Sequence, residues 1–230
     1  MKPPIITGIA GGSGSGKTTL AEGLCRLTED YGSVLFSLDD YYRGLPEGTR
    51  AGDVNFDEPD ALDLDRFASD LATLRSGRPV RRPVYDFVRH RRSDADQETG
   101  PAPLIVVEGL FLFVRPELCE LFDFRFFVDV PAQERLHRRI RRDVRNRGRG
   151  EAEVRDQWDR QVEPMYVRHI LPTRASAHFV LDLPRPDDLA YSEQVVAMWG
   201  MVERRLQEDH GMKSFRWRSP NKSIPSADFT

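Results

Sequence analysis

The stretch GGSGSGKTT, residues 11–19, lies between the apolar run IITGIA, residues 5–10, and a helical pattern. Glycine permits backbone angles and close approaches that a Cβ atom forbids, so such a loop can direct several N–H groups at one anion where a helix begins. The stretch fits the pattern G-x-x-x-x-G-K-[ST] through Gly11, Gly16, Lys17 and Thr18, in the required strand-to-helix context. The sequence therefore predicts a phosphate-binding loop, the P-loop, for ATP or GTP.

Two side chains of the P-loop have expected chemical roles. Lys17 neutralises the β and γ phosphates during transfer, and Thr18 coordinates Mg²⁺, the expected cofactor, which bridges the same phosphates. A flexible glycine-rich linker is the alternative, but a linker does not join a buried strand to an amphipathic helix. The predicted nucleotide-binding residues of the loop are Gly11, Gly12, Ser13, Gly14, Ser15, Gly16, Lys17, Thr18 and Thr19.

Short apolar runs recur along the chain at residues 34–36, 104–107, 124–130 and 179–181. They are too short for helices and several are bounded by Gly, Pro or Asp, which is typical of buried parallel strands. Helical stripes lie between them: Leu64, Phe67, Ala68, Leu71 and Leu74 behind an Asp63 cap, and Leu136, Ile140 and Val144 after Pro131. The alternation predicts an α/β fold of three layers, with a parallel sheet between helices.

Length and composition limit the class of protein. A chain of 230 residues with 39% apolar residues and a net charge of −3 is typical of a globular domain, expected here over residues 1–210. Within it we expect an insertion at about 78–103 and a lid at about 135–150, followed by a flexible tail at 211–230.

No apolar run reaches the roughly 18 residues of a membrane span, so a cytoplasmic location without a membrane partner is expected. The acidic balance argues against a nucleic-acid partner.

Two acidic residues follow predicted strands. Asp39, in SLDDYY at residues 37–42, is expected at the carboxyl edge of the sheet, where ligands bind in such folds. A carboxylate there can accept the proton of an alcohol that attacks a phosphate. Glu108 ends the run LIVVEG, residues 104–109, and can hold Mg²⁺ directly or through water. Capping of a loop or turn is the alternative for both.

The segment RLHRRIRRDVRNRGRG, residues 135–150, is unusually rich in arginine. On a helix its arginines crowd the face opposite the stripe Leu136, Ile140 and Val144, and like charges three or four residues apart repel. A polyanion would offset that repulsion, so the segment predicts a lid whose guanidinium groups close on a triphosphate. A solvated charged face is the alternative.

Together these segments resemble the uridine kinase (uridine-cytidine kinase) family of P-loop nucleoside kinases, in order and up to about residue 185. The most restrictive ones are YDF-x-x-H and R-R-I-x-R-D-x-x-x-R-G-R. The other matching segments are GGSGSGKTT, SLDDYY, NFDEPDALD, VVEGLF and PMYVRHILPTRASAHFVLD. The resemblance implies phosphorylation of the 5′-hydroxyl of uridine and cytidine by ATP or GTP in pyrimidine salvage. It also implies a homo-oligomer, with the tetramer as the expected state.

The resemblance also implies roles for individual residues. Asp39 takes the position of the catalytic base, and the metal-side positions are Thr18, Asp39 and Glu108. Arg142 and Arg147 are implied to bind the nucleotide. The implied substrate-binding residues are Asp57, Tyr85, His90, Arg139, Arg149 and Gln157. A histidine has two tautomers and a glutamine has both amide polarities, so His90 and Gln157 can suit either pyrimidine.

Two other functions stay open at this point. A kinase for another small alcohol, such as a sugar phosphate or pantothenate, can share the same scaffold, although PVYDFVRHR, residues 83–91, argues against it. A GTPase switch is the second alternative. Such proteins carry N-K-x-D for guanine, and Asn221-Lys222 continues with Ser-Ile instead.

Overall fold

The structure is a computed structural model that describes residues 2–45, 48–49, 54–87, 89–94, 96–183 and 189–211. Its strands are β1 (Ile5–Gly11), β2 (Ser33–Ser37), β3 (Val80–Arg82), β4 (Tyr85–Asp86), β5 (Arg91–Arg92), β6 (Gln97–Thr99), β7 (Leu104–Gly109), β8 (Phe124–Asp129) and β9 (Phe179–Asp182). Its helices are α1 (Lys17–Leu27), α2 (Leu64–Arg75), α3 (Pro116–Cys119), α4 (Ala132–Arg147), α5 (Glu151–Gln157), α6 (Glu163–Met165) and α7 (Leu189–His210). Two π-helical segments, Trp158–Val162 and Tyr166–Ile170, flank α6. Within the described ranges, no helix has the length and apolarity needed to cross a membrane.

Five strands form one parallel sheet in the order β2-β7-β1-β8-β9, which confirms the predicted α/β class. The central strand β1 is buried on both faces, as its continuous apolar run requires. Its alternate residues Ile5 and Ile9 pack with residues of α1 and α7, while Ile6 and Ala10 pack with residues of α2. The sheet therefore lies between two helical layers. The predicted tail lies outside the described residues from position 212 onward.

The predicted insertion consists of two small antiparallel pairs, β3 with β6 and, nested between them, β4 with β5. Two arginines of these strands fasten the insertion to the segment that follows β2. Arg82 Nη1 donates to Asp40 Oδ2 at 2.8 Å, and Arg92 Nε donates to the carbonyl oxygen of Tyr42 at 2.8 Å. These contacts hold β3 and β5 next to the segment that follows β2.

The buried face of α4 differs from the one predicted from the sequence. The expected apolar stripe is not its buried face, because Leu136 and Ile140 are half-buried and Val144 is 44% exposed. The buried residues are instead the charged ones, Arg135, Arg139 and Asp143, spaced four apart along one face. The prediction assumed that α4 packs on an apolar core, whereas it packs on the P-loop and on charged partners.

Arg135 joins the first turn of α4 to the P-loop. It is 2% exposed, and its guanidinium lies 3.8 Å from the ring centre of Tyr166 and 5.1 Å from that of Trp158. Its Nη2 donates to Glu163 Oε2 at 2.9 Å, so the buried charge is paired as well as stacked. Gly14 lies against its backbone with φ +78°, and a Cβ atom there would be 2.3 Å from the carbonyl oxygen of Arg135.

We expect Gly14→Ala to abolish or strongly weaken binding of Mg·ATP. The left-handed backbone conformation costs an L-residue roughly 1–2 kcal/mol, and the clash with a buried backbone forces the loop away from α4. Titration calorimetry with Mg·ATP measures the effect. Gly200→Ala in α7 is the matched control, because no heavy atom lies within 4 Å of the added Cβ. The control should bind as the wild type does and gain about 0.5–1 kcal/mol of stability. Wild-type affinity in Gly14→Ala would show that the packing of the P-loop on α4 is not needed.

Candidate active site

A cleft lies at the carboxyl end of the sheet, over the P-loop and beside α4. In parallel sheets this edge collects the loops that follow the strands, so side chains distant in sequence meet there. The lining residues are Ser13, Lys17, Asp39, Tyr42, Phe56, Asp57, Tyr85, Phe87, His90, Leu110, Arg139, Arg142, Arg147, Arg149 and Gln157. The cleft thus brings together the predicted base, the predicted lid arginines and all six predicted substrate-binding residues.

The P-loop forms one wall of the cleft. Its turn is closed by the Ser15 N–H, which donates to the Gly12 carbonyl at 3.1 Å. Gly16, with φ +93°, precedes the first residue of α1, Lys17, which is 7% exposed and faces the cleft. The remaining predicted loop residues do not line the cleft itself. Gly11, Gly12, Gly14, Ser15, Gly16, Thr18 and Thr19 make up the backbone of the loop and the first turn of α1.

Glu108, one of the predicted metal-side residues, contacts the P-loop residue Thr18. The parallel register of β2 and β7 places Ser37 opposite Glu108, and the Ser37 hydroxyl donates to Glu108 Oε1 at 2.5 Å. The Thr18 hydroxyl donates to the other oxygen, Oε2, at 3.0 Å. Because Glu108 is 3% exposed and both donors are neutral hydroxyls, its negative charge is available to a cation at this point.

The adjacent aspartates of SLDDYY have different environments. Asp40 forms a 2.8 Å ion pair with Arg82 of β3 and so belongs to the attachment of the insertion. Asp39 faces the cleft, and its Oδ1 is buried without a hydrogen-bond partner among the described residues. A buried acceptor without a donor is costly, so this oxygen is expected to meet a ligand atom. The geometry therefore favours Asp39 over Asp40 as the reactive carboxylate.

The surroundings of Asp39 change its acidity. Burial and the nearby charge of Glu108 raise the pKa of Asp39 to about 6, while Lys17, Arg142 and Arg147 act in the opposite direction. The carboxylate form still predominates at pH 7 to 8 but is more basic than an ordinary aspartate. A group whose pKa lies just below the working pH is well suited to accept a proton.

The same oxygens suit a magnesium ion. Thr18, Asp39 and Glu108 offer hydroxyl and carboxylate oxygens, the hard donors that Mg²⁺ prefers, and the partnerless oxygen of Asp39 is among them. Across the described part of the chain, no group of three or more His, Cys, Asp or Glu residues could hold a metal by itself. That pattern is expected where Mg²⁺ is held by one or two carboxylates together with substrate phosphates.

Aromatic rings form the far end of the cleft. The ring centres of Tyr85 and Phe87 are 5.0 Å apart in a T-shaped contact, and the ring of Tyr42 lies 5.2 Å from that of Tyr85. Phe56 stacks on His90 at 5.0 Å. The Tyr85 hydroxyl is buried without a partner among the described residues, and burial raises its pKa to about 12, so it remains a donor. The result is an apolar slot with a few polar groups, suited to a flat heterocycle.

His90 has an unusual backbone and a lowered basicity. It has φ 50°, in the left-handed region that non-glycine residues seldom adopt. Burial and the charges of Arg147 and Arg149 lower its pKa, and the Asp86 charge opposes them only in part. The imidazole is therefore neutral at pH 7, with one nitrogen that donates and one that accepts.

The ribose-side candidates are linked through arginine. Asp57 is 7% exposed, and burial raises its pKa while the charge of Arg139 lowers it. Arg139 Nη1 donates to the Ser13 hydroxyl at 2.7 Å, and its Nη2 donates to Gln157 Oε1 at 3.0 Å. Arg149 Nη1 donates to the same Gln157 oxygen at 2.8 Å. The sequence left both amide polarities of Gln157 open, but with its oxygen engaged twice, the NH₂ group remains for a ligand.

Sequence analysis missed several residues of the cleft. Tyr42 and Phe56 lie beside assigned residues, three positions after Asp39 and one before Asp57, and proximity to them was the available signal. Asp143, which contacts arginines of the cleft without lining it, was also missed. It is fully buried in α4 with Arg139 and Arg147 four residues before and after it, a spacing that is visible in the sequence as a helical ion-pair pattern.

Comparison with known proteins places these features in a family. The sequence profile of the phosphoribulokinase / uridine kinase family matches residues 6–190. The uridine kinase of Borrelia hermsii is 37% identical over 177 residues, which cover 76% of this chain and 85% of that protein. The uridine kinase of Leuconostoc citreum is 38% identical over 182 residues, 77% of this chain and 87% of that protein. The chloroplastic uridine/cytidine kinase UKL1 of Arabidopsis thaliana is 38% identical over 81% of this chain, but the match spans only 39% of that longer protein.

Solved structures share the fold at lower identity. Phosphoribulokinase from Rhodobacter spheroides superposes with a TM-score of 0.63 at 17% identity, covering 91% of this chain and 99% of that chain. D-glycerate 3-kinase from Cryptococcus neoformans superposes with a TM-score of 0.56 at 18% identity, covering 76% and 81%. At 17% and 18% sequence identity, these two structures show only that this chain has the same fold.

We expect Asp39→Asn to make the free protein more stable above pH 6. The pKa of Asp39 is raised on folding, so the folded state binds this proton more tightly than the unfolded state. The stability that its protonated form contributes is complete below about pH 4 and is lost as the pH rises through about 6. Urea unfolding from pH 4 to 8 measures the difference between variant and wild type, which should grow from about pH 4 to about pH 6 and level off above that. Asp30→Asn removes an exposed carboxyl group as the control. A constant difference for Asp39→Asn would contradict the raised pKa.

Proposed function

Because the chain belongs to the phosphoribulokinase/uridine kinase family, we propose that it transfers the γ-phosphoryl group of ATP to the 5′-hydroxyl of uridine. The relatives named uridine kinase, 37% and 38% identical over most of both chains, support this acceptor. The observation that carries the proposal is the partnerless oxygen of Asp39, which lies in one cleft with the P-loop lysine and the aromatic slot.

The P-loop and Lys17 bind the triphosphate of the donor. Backbone N–H groups of residues 11–18 surround the phosphates, the start of α1 adds its positive dipole, and the buried ammonium of Lys17 adds a full charge. The donor is thereby oriented with its terminal phosphate toward Asp39. Fixing the two reactants in one geometry supplies much of the acceleration in phosphoryl transfer.

Asp39 orients the 5′-hydroxyl and accepts its proton as the oxygen attacks phosphorus. Its Oδ1 has no other partner in the described cleft, and its pKa of about 6 makes it a better proton acceptor than an exposed aspartate. The O–P bond to uridine forms, the bond between the γ-phosphorus and the β-γ bridging oxygen breaks, and ADP leaves. Thr18, Glu108 and Asp39 would hold Mg²⁺, which supplies charge neutralisation to the phosphates when bound.

Two arginines of α4 stabilise charge on the transferring group. Arg142 and Arg147 line the cleft, and both act electrostatically on Asp39. Guanidinium groups form paired hydrogen bonds to phosphoryl oxygens, and such groups act strongly where water is excluded.

Asp57 and the aromatic slot select the nucleoside. A single buried carboxylate can accept from both the 2′ and 3′ hydroxyls, with Arg139 beside it to balance the charge. The base of the nucleoside lies in the aromatic slot formed by Tyr42, Phe56, Tyr85 and Phe87. His90, the Tyr85 hydroxyl and the Gln157 NH₂ group line the same cleft and can form hydrogen bonds to the base. A neutral His90 can accept from the N3–H of uracil or donate to N3 of cytosine, so we extend the proposal to cytidine.

The remaining expectations are part of the same proposal. GTP as an alternative donor, a tetrameric state and a role in the cytoplasm stay predictions from the resemblance. The alternative of a sugar phosphate or pantothenate acceptor is less compatible with a slot of four aromatic rings next to a histidine.

Turnover with uridine and Mg·ATP tests the proposal directly. We expect UMP as the product, and we expect Asp39→Asn to lower kcat by about 10²–10⁴ with donor affinity largely kept, because the base is lost. Chromatographic detection of UMP and titration with Mg·ATP are the two measurements. 2′-Deoxyuridine is the matched substrate, and its kcat/KM should be about 10- to 100-fold lower, as a charged acceptor loses a partner. ATP consumption with other alcohols but not with uridine or cytidine would overturn the acceptor assignment.

The uridine-to-cytidine ratio of kcat/KM should depend on pH through His90. Its neutral form can serve both bases, but the protonated form only donates and so opposes the N3–H of uracil. Because its pKa is lowered from 6.5, the ratio should be constant between pH 7 and 8 and fall at lower pH. Protonation of Asp39 affects both substrates equally and cancels in the ratio. His90→Gln should remove the dependence, and an unchanged ratio in the wild type down to pH 5 would contradict the role of His90.

A further inference from the structure

Asp143 is a fully buried carboxylate surrounded by guanidinium groups of its own segment. Arg142 Nε donates to Oδ1 at 2.8 Å, and Arg147 Nη1 lies 3.6 Å from the same oxygen. Arg149 Nη1 lies 3.4 Å from Oδ2, and Arg139 Nε lies 3.6 Å from it. All four arginines line the cleft, whereas Asp143 does not. Asp143 therefore touches the groups that face the ligands without facing a ligand itself.

We propose that Asp143 is a positioning residue that holds these four arginines in the arrangement required for transfer before the donor binds. This inference rests on the proposed kinase function and deepens it. It gives the one aspartate of the arginine-rich segment a role that is separate from binding any substrate atom.

Repulsion among the arginines is the reason such a residue is needed. Arg139, Arg142, Arg147 and Arg149 converge on one region, and like charges this close drive flexible side chains toward separate, solvated positions. A carboxylate at their centre offsets that repulsion at four contacts. Asp143 has Arg139 one turn before it and Arg147 one turn after it on the same face of α4, so the helix itself sets these distances.

The charge of Asp143 persists over the working pH range. Burial by itself raises the pKa of a carboxyl group, but the charges of Arg142, Arg139 and Arg147, with the hydrogen bond from Arg142, outweigh it and lower the pKa of Asp143. The group is thus a permanent anion. One negative charge against four positive ones leaves the cluster cationic, so it still attracts a polyphosphate.

The contacts of the four arginines extend to every part of the cleft. Arg139 donates to Ser13 of the P-loop, and Arg142 and Arg147 act on Asp39. Arg149 and Arg139 share the Gln157 oxygen near the base. Displacing the centre of this cluster therefore displaces groups at the phosphates, at the base catalyst and at the nucleoside together. A misplacement of about 1 Å in such groups can cost about 10²-fold in rate.

Asp143→Asn tests this inference, because the amide keeps the shape of the side chain and removes its charge. We expect kcat for uridine to fall by about 10²-fold. The dissociation constant for Mg·ATP should change by less than about threefold, because the P-loop amides and Lys17, which hold the triphosphate, are not contacts of Asp143. Asp143→Glu, which restores the charge one methylene further out, should recover part of kcat. If Asp143 only stabilised the fold, Asp143→Asn would not lower kcat while leaving the Mg·ATP affinity unchanged. Nor would Asp143→Glu restore kcat by restoring the charge.

Asp209→Asn is the matched control. Asp209 forms an ion pair with Arg205 four residues before it in α7, at 2.6 Å, and is remote in sequence from the cleft segments. It should leave kcat unchanged. If Asp143→Asn does not fold, Asp143→Glu gives the same comparison, with a reduced kcat and near-normal Mg·ATP affinity.

A crystal structure of Asp143→Asn separates this inference from the proposed function. We expect the arginine side chains to move apart or lose order, whichever acceptor the enzyme uses. If the wild type does not phosphorylate uridine or cytidine, the acceptor assignment fails, while the arginine positions still test the role of Asp143. Arginines in their original places with kcat within threefold of the wild type would overturn the inference, as would equal loss of kcat and donor affinity in both variants.

Discussion

The packing of the P-loop against the charged face of α4 is the contact on which the site depends. A loop that surrounds phosphate must be rich in glycine and is therefore weak in side-chain contacts of its own. Arg135 supplies contacts that the loop itself lacks. Its backbone fills the space beside Gly14, and its guanidinium is held by stacking on Tyr166 and by an ion pair with Glu163. One turn further along α4, Arg139 bonds the Ser13 hydroxyl. The helix thus supports the loop and also carries the arginines that face the same ligand.

Charge is separated across the cleft in a way that suits phosphoryl transfer. Glu108 and Asp39 lie where β7 and β2 end, while Arg139, Arg142, Arg147 and Arg149 approach from α4 and its following loop. Burial and the charge of Glu108 raise the pKa of Asp39, while burial and the charges of Arg147 and Arg149 lower the pKa of His90. The result is a basic carboxylate at the alcohol and a neutral imidazole at the base, each adjusted by its neighbours.

Much of the fold was accessible from sequence because its signals are local. The apolar runs before the P-loop and at 104–107 become β1 and β7, since a continuous apolar stretch has few stable alternatives to a strand buried on both faces. Asp63 caps α2 through its side chain, as its position before Leu64 suggested. Helix α4 was different. Its apolar stripe pointed to the wrong buried face, because the choice depends on what packs against the helix, and the partner is a loop about 120 residues earlier.

The sequence by itself determined the P-loop, the parallel sheet, the list of reactive side chains and the family they resemble, because these follow from residue type and short spacings. The tertiary structure alone shows why Asp39 enters the cleft and the adjacent Asp40 does not, since Asp40 is ion-paired with Arg82 of the insertion. It also decided that Asp143 is the centre of the arginine cluster and that the Gln157 oxygen is occupied. The physical reason is that burial and ion pairing depend on neighbours brought together by folding, and no local pattern specifies which neighbours those will be.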